Sequence, residues 1–455
     1  MELYSNNKDY KLYKGSMLDM LEVIEPNSID AIITDPPYEL GFMGKSWDSS
    51  GIAFQKETWE KCFKVLKPGG HLLAFGGSRT FHRIAVAIED AGFEIRDTIM
   101  YLYGSGFPKS HNIGLDIDKL NGCPDRGHRI AVANRHHPDG TLEPNGEHLE
   151  KYEGKTENGK KWAGWGTQLK PAYEPIILAR KPLEESSVAK NVLKYGVGGI
   201  NIDECRVGVE EILTHNAPKG TFAGGEAGRG SDTSEYKQHN GRFPANVIHD
   251  GSDEAISGMP DTSSSESLPN NEKTTSDMNV PFANHKSGYH FGDSGSASRY
   301  FYCAKAGAFD RDEGLDSFKK VRVGSINGAN NDKEELDDVS KRFAIYKRNI
   351  HPTVKPTNLM RYLVRLVSPK GATILDPFNG SGSTGKAVML ENKEFNKEYK
   401  YIGIELTDEY LPIAKARIEY ICNNDFVFTK NEDNNISKHE VVDKSIPSLF
   451  DFLEE

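Results

Sequence analysis

Two short segments of this 455-residue chain combine residue types able to hold and activate a nitrogen-bearing ligand. The first is Asp35-Pro36-Pro37-Tyr38, directly after the apolar run I-D-A-I-I-T (29–34). Two prolines fix the backbone, so the Asp carboxylate and the neighbouring carbonyls point at one spot. The tyrosine places a flat π-face beside those acceptors. Such an arrangement suits a planar base with an exocyclic amine, the acceptors taking its N–H groups while the ring stacks. The same four residues also make an ordinary turn, because Asp and Pro favour turns on their own account.

The second segment is Asp376-Pro377-Phe378-Asn379-Gly380-Ser381-Gly382-Ser383-Thr384-Gly385, lying between the strand-like A-T-I-L and a helix. Glycines let backbone amides approach a ligand closely. The spacing is not that of a phosphate loop, although Lys386 follows. An acid, Glu405, ends the next apolar run Y-I-G-I-E, 29 residues after Asp376. An acid at that place can take both hydroxyls of a ribose. Loop and acid together point to a nucleoside cofactor.

These segments need elements to position them. Residues 29–34 read as a buried strand, 55–67 as a helix closed by the breaker Lys67-Pro68-Gly69-Gly70, H-L-L-A-F as a strand, 80–91 as an amphipathic helix and 93–103 as a further strand. The grammar returns with a helix over 357–367, the strand A-T-I-L, a helix from Lys386 to Glu391, the strand Y-I-G-I-E and a helix over 408–421. Strands alternating with helices predict a parallel sheet covered on both faces, with ligands at the carboxyl ends of its strands.

Between the two halves, residues 215–300 are dense in Gly, Ser, Asn and Asp. So long a stretch predicts an inserted region with flexible parts. The expected organisation is a catalytic half over 1–120, an inserted target-recognition region over 121–345, a cofactor-binding half over 346–423 and a frayed acidic tail over 424–455.

Composition excludes several alternatives. With 37% hydrophobic and 27% charged residues the chain is globular rather than disordered. The formal net charge of −11 does not argue against a nucleic-acid partner, because residues 425–455 alone contribute −5. Five cysteines without a C-x-x-C pair indicate neither a disulfide framework nor a zinc site, and no thiol chemistry is required of Cys62. No apolar run reaches the ~20 residues that span a bilayer, and the first residues lack a signal-peptide core. A cytoplasmic protein of a prokaryotic or phage-infected cell is expected. The histidine-rich H-R-I-A-V-A-N-R-H-H (128–137) reads as an exposed or DNA-facing loop rather than a metal site. Lys160, Lys161, Trp162, Trp165, Lys170, Arg180 and Lys181 mix basic and aromatic side chains, as a phosphate-tracking surface does, or as solvated charges around a core Trp do.

Asp-Pro-Pro-Tyr, then H-P-T-V-K-P (351–356) and D-P-F-N-G-S-G-S-T-G, in that order, resemble the β group of amino-methylating DNA methyltransferases. The central W-A-G-W-G-T-Q-L-K-P-A-Y-E-P-I-I-L-A-R-K-P, G-R-F-P-A-N and Y-F-Y-C-A-K are similar to phage and mobile-element members. The likeness covers roughly residues 10–182 and 240–422. It implies a Rossmann-like, circularly permuted α/β sheet with a large inserted target-recognition region, S-adenosylmethionine as methyl donor and DNA as substrate, the target base flipped out of the duplex. It implies catalytic roles for Asp35, Pro36, Pro37 and Tyr38. For the cofactor it implies Asp376, Phe378, Asn379, Gly380, Ser381, Gly382 and Ser383 around the methionine part and Glu405 on the ribose. Lys355 and Thr357 match the segment that approaches the methionine carboxylate, and Asp19 lies in the adenine-contacting segment, where this chain has Ser16 in place of the usual acid. An Asp opening the catalytic motif is commoner among the family's adenine N6 enzymes, so adenine is the expected target. Cytosine N4 is the alternative, and RNA or protein amine methylation a remoter one, since those enzymes usually carry the two motifs in the reverse order. A homodimer and a cognate restriction nuclease are partners such an enzyme can have.

Overall fold

The short apolar runs of the sequence become the strands of one sheet in a computed structural model, which describes residues 2–41, 46–106, 110–123, 135–136, 142–143, 152–215, 236–264, 293–304, 307–325, 344–430 and 437–442. In chain order the strands are β1 (Glu2–Asn6), β2 (Tyr10–Lys14), β3 (Ile29–Thr34), β4 (Leu66–Phe75), β5 (Glu94–Leu102), β6 (Tyr173–Arg180), β7 (Val247–His249), β8 (Tyr302–Cys303), β9 (Thr373–Asp376) and β10 (Lys400–Glu405). Their order across the sheet is β1-β2-β10-β9-β3-β4-β6-β5-β7-β8. The last strands of this sheet thus insert between two of its first: β10 pairs with β2, and β9 lies between β10 and β3, with Leu375 opposite Ile32.

Both faces are covered, because successive residues of a buried strand point to opposite sides. Ile32, Leu72 and Ala74 pack with α1 (Met17–Val23), α2 (Lys56–Val65) and α3 (Phe81–Asp90) in one cluster around Trp59. Ile33, Leu73 and Phe75 pack on the other face with α4 (Thr357–Val367), α5 (Ser383–Phe395) and α6 (Leu411–Asn423).

The expectation of a parallel sheet needs correction at two places. β6 runs antiparallel to both β4 and β5, and β1 antiparallel to β2. β5 ends at the sheet's carboxyl edge, and the chain re-enters as β6 without a crossover, so β6 must run back down. Lys67-Pro68-Gly69-Gly70 is not a break ahead of the strand but part of β4. Between the pairs Ile29–Leu66 and Ala31–His71 the register shifts, and this bulge absorbs the proline.

The boundaries expected for the insert also move. β6, β7 and β8 all belong to the main sheet, although each falls within 121–345. The compact unit distinct from the sheet is residues 105–172. Within it, helix Ile113–Leu120 and the short helix Glu157–Lys161 are tied by buried Asp118, whose carboxylate accepts from the Tyr152 hydroxyl and from the Lys155 and Thr156 amides. Of the Gly/Ser-rich stretch, 216–235 and 265–292 lie outside the described residues. So do 128–134 and 137 of the histidine-rich patch. Part of the expected tail is ordered: Phe426–Lys430 and Ser437–Val441 form an antiparallel hairpin, and His439 meets the buried Glu313 carboxylate at 3.0 Å. No helix among the described residues is long and apolar enough to cross a membrane.

Candidate active site

Asp35 follows β3 directly, at the carboxyl edge of the sheet. Its two oxygens are both engaged: Oδ1 accepts from the Tyr38 hydroxyl at 2.8 Å, and Oδ2 lies 2.9 Å from the Lys355 ammonium. Lys355 also donates to the Tyr38 hydroxyl at 3.1 Å and lies 3.5 Å from the Glu174 carboxylate at the start of β6. Its ammonium sits 4.9 Å from the centre of the Phe75 ring at the end of β4. Three strand ends, those of β3, β4 and β6, thus converge on one buried cation. Burial works to lower the Lys355 pKa, yet Asp35 and then Glu174 outweigh it and hold it above its ordinary value. Burial pushes Glu174 up, with Lys355 opposing. Tyr38 is pushed well up by burial and then by the Asp35 charge.

The loop between Pro36 and α2 is braced by Asp48, which accepts the backbone N–H groups of Tyr38, Glu39 and Leu40 at 2.8, 3.0 and 3.2 Å. Carboxylate acceptance of successive amides fixes a turn without secondary structure. Tyr38 is therefore held from its backbone and from its hydroxyl.

On the neighbouring strand end, Asp376 is wholly enclosed. It accepts from Thr34 Oγ1 and Thr384 Oγ1, each at 2.6 Å, and from the Phe378 amide at 3.1 Å. Burial lifts its pKa to about 6 against these neutral donors. Its oxygens tie the loop to the residue preceding Asp35, which makes it the join between the two segments. Phe378 packs toward the cluster beneath α1–α3. Asn379 accepts from the Tyr401 hydroxyl at 2.8 Å, and Ser381 and Ser383 accept from Arg417 of α6. Gly380 and Gly382 have φ of +52° and +75°, and a Cβ on Gly380 would stand 2.8 Å from His351 Nε2. Only glycine meets both conditions.

Glu405 ends β10, with Oε2 accepting the Gly380 amide at 2.6 Å and Oε1 the Thr407 amide at 2.8 Å. Burial raises its pKa to about 7, which the two amides only partly oppose. A carboxylate held by neutral donors at a strand's carboxyl end retains lone pairs for the hydroxyls of a ribose, so the residues present fit an adenosine-type cofactor.

Three expected cofactor residues stand elsewhere. Asp19 is exposed on the first turn of α1, although its segment is joined to the site through the Gly15 amide and the Glu405 carbonyl. Thr357 is buried at the start of α4, its amide donating to Asp310 at 3.0 Å. Lys355 faces Asp35 rather than the glycine loop. Arg180 and Lys181 are not a phosphate-tracking surface: Arg180 pairs with Glu94 at 2.5 Å, and Lys181 donates to the Phe63 and Leu66 carbonyls. The sequence assigns no role to Glu174, Thr34 or Thr384, the first lying unremarked inside P-A-Y-E-P. Burial pushes the Cys62 thiol up to about 12, far from any reactive thiolate.

Comparison with known proteins adds the family. The DNA methylase family matches residues 29–416. The HindIII methyltransferase of Haemophilus influenzae is 25% identical over 280 residues, 52% of this chain and 77% of that protein. The HpaI methyltransferase of Haemophilus parainfluenzae is 35% identical over 108 residues, 22% of this chain and 34% of its own. The DNA adenine methyltransferase YhdJ of Escherichia coli is 29% identical over 112 residues, 24% and 36% of the two chains. The chain thus spans about a third of the length of the last two. Among solved structures, the cytosine-N4-specific PvuII DNA methyltransferase aligns with a TM-score of 0.38 and 13% identity over 93% of this chain and 94% of that one. The family match runs from the strand ahead of Asp35 to the helix behind Glu405 and takes in both segments and all that separates them; the chain belongs to the DNA methylase family, whose adenine-N6 and cytosine-N4 enzymes draw their methyl group from S-adenosylmethionine.

Proposed function

We propose that this methyltransferase acts site-specifically on the exocyclic N6 of adenine in DNA. The observation that carries the reading is the Asp35 carboxylate, fixed at the carboxyl edge beside Tyr38 and joined through Thr34 and Asp376 to the glycine loop. An exocyclic base amine is a poor nucleophile because its lone pair is delocalised into the ring. If Asp35 and the Pro36 carbonyl each accept one of its N–H groups, the nitrogen is drawn toward tetrahedral geometry and the pair is freed. Tyr38 gives the flipped base a face to stack on, offsetting part of the few kcal/mol that unstacking costs. The residues around 376–383 and Glu405 would hold S-adenosylmethionine, which supplies an electrophilic sulfonium methyl. Orientation and electrostatics carry the catalysis, without a covalent enzyme intermediate.

The chain order of the strands supports reading the sheet as circularly permuted, with the cofactor strands β9 and β10 last in sequence and central in space. We assign target recognition to segments outside the sheet, residues 105–172 among them. The test is to express the chain in a methylation-free host, digest the DNA to nucleosides and identify the modified base by mass spectrometry. N6-methyladenine is expected. N4-methylcytosine would transfer the reading to cytosine, and unmodified DNA would overturn it. Long-read sequencing of the same DNA gives the recognition sequence.

A further inference from the structure

We propose that Lys355 is a positioning residue for Asp35 rather than a ligand of the cofactor, and that Glu174 in turn holds Lys355 in place. This rests on the reading that Asp35 receives the base amine. The geometry is specific. Lys355 Nζ stands 2.9 Å from Asp35 Oδ2, 3.1 Å from the Tyr38 hydroxyl and 3.5 Å from Glu174, and the residue is 6% exposed. An ammonium so enclosed has three donors and three oxygens around it. Its partners come from β3's end, from the turn after it and from β6, so its position is fixed by parts of the chain far apart in sequence.

The consequence for Asp35 is rotational. A carboxylate held at neither oxygen turns about its last bond. With Oδ2 anchored to a buried cation, only Oδ1 can exchange partners. That partner is the Tyr38 hydroxyl. When Tyr38 moves to stack on a base, Oδ1 is released already aimed, and the incoming amine takes the place the hydroxyl left. Glu174 belongs to the same device: without it, Lys355 would have one carboxylate to follow and would move with it.

The titratable groups facing Lys355 are Asp35 and Tyr38, Tyr103 from beyond β5, Glu174 from β6 and His351 from its own segment. Burial and then Lys355 hold His351 down to about 3, so it stays neutral, and Tyr103 is pushed up to about 12 by burial and Glu174. Asp35 and Glu174 are therefore the charges that keep Lys355 protonated, and removing one should let burial lower its pKa.

The experiment measures S-adenosylmethionine affinity by calorimetry and single-turnover methyl transfer to duplex DNA across pH, in wild type, Lys355→Met, Lys355→Arg, Glu174→Gln and Asp35→Ala. Lys355→Met should lose about 10²-fold in turnover while its cofactor affinity stays that of wild type, which also reports that it is folded. Lys355→Arg should recover part of the loss. In Glu174→Gln the alkaline limb of the rate profile should move to lower pH. A Lys355→Met enzyme with weakened cofactor binding but full turnover at saturation would overturn the proposal, as would an unmoved alkaline limb in Glu174→Gln. If Asp35→Ala itself stays within tenfold of wild type, the underlying reading of Asp35 has failed instead.

Discussion

Adjacent strand ends of one sheet carry half-buried and buried carboxylates in two different electrical settings. Asp35 sits against an ammonium that a second carboxylate, Glu174, also holds. Asp376 and Glu405 are enclosed at least as thoroughly, but hydroxyls and backbone amides are their donors. Burial therefore lifts the latter two, to about 6 and about 7. The difference teaches that the corner assigned to the reacting amine is built around an ion pair, whereas in the corner assigned to the cofactor the donors are neutral and burial prevails over them.

The sharpest way to break this comparison is Asp35→Ala. Single-turnover methyl transfer should fall by about 10²–10³-fold or more, with cofactor affinity changing far less. A variant within tenfold of wild type would leave Asp35 a turn residue. Glu405→Ala tests the other corner: calorimetry should show a loss of about 1.5–3 kcal/mol in S-adenosylmethionine binding, with no comparable loss in DNA binding. Tyr38→Ala should weaken the complex with a duplex carrying the target site by about 1–3 kcal/mol, the value of one aromatic stack, as read by fluorescence titration.

The smallest effect is the pH response. Glu405 is raised from its ordinary 4.5 to about 7. The stability that this group contributes is full below about 4.5 and is lost as pH rises through 7. Cofactor binding to the ionised carboxylate has the opposite sign, weakening as pH falls below 7 by up to about tenfold per unit. Calorimetry between pH 5.5 and 8.5 should show that slope in wild type and not in Glu405→Gln. An identical slope in the variant would assign the proton to another group.

Much of this site was legible in the sequence because its two key segments are contiguous: D-P-P-Y and the 376–385 loop each contain their own turn chemistry and each follow an apolar strand. The helices and strands flanking them were legible for the same reason. What was hidden depends on pairing at a distance. Glu174 meets Lys355 only because β6 inserts antiparallel between β4 and β5, and nothing local in P-A-Y-E-P-I-I-L announces that direction. Pro68 read as a strand breaker because a bulge that absorbs it is a property of two strands. Arg180 and Lys181 read as surface charges until Glu94 and two backbone carbonyls were placed beside them. The acidic tail read as frayed because the partner of His439, Glu313, is 126 positions away.

The bond between Thr34 and Asp376 spans 342 positions, and that span imposes an order of events on a growing chain. At about 5–20 residues per second, β3 emerges from the ribosome roughly 20–70 s before the strand that must lie beside it. Throughout that interval its hydrogen-bonding edge toward β9 stands open, the situation that invites pairing with a foreign strand. No product that ends before Asp376 holds both partners of that bond, so the two segments meet only late in synthesis.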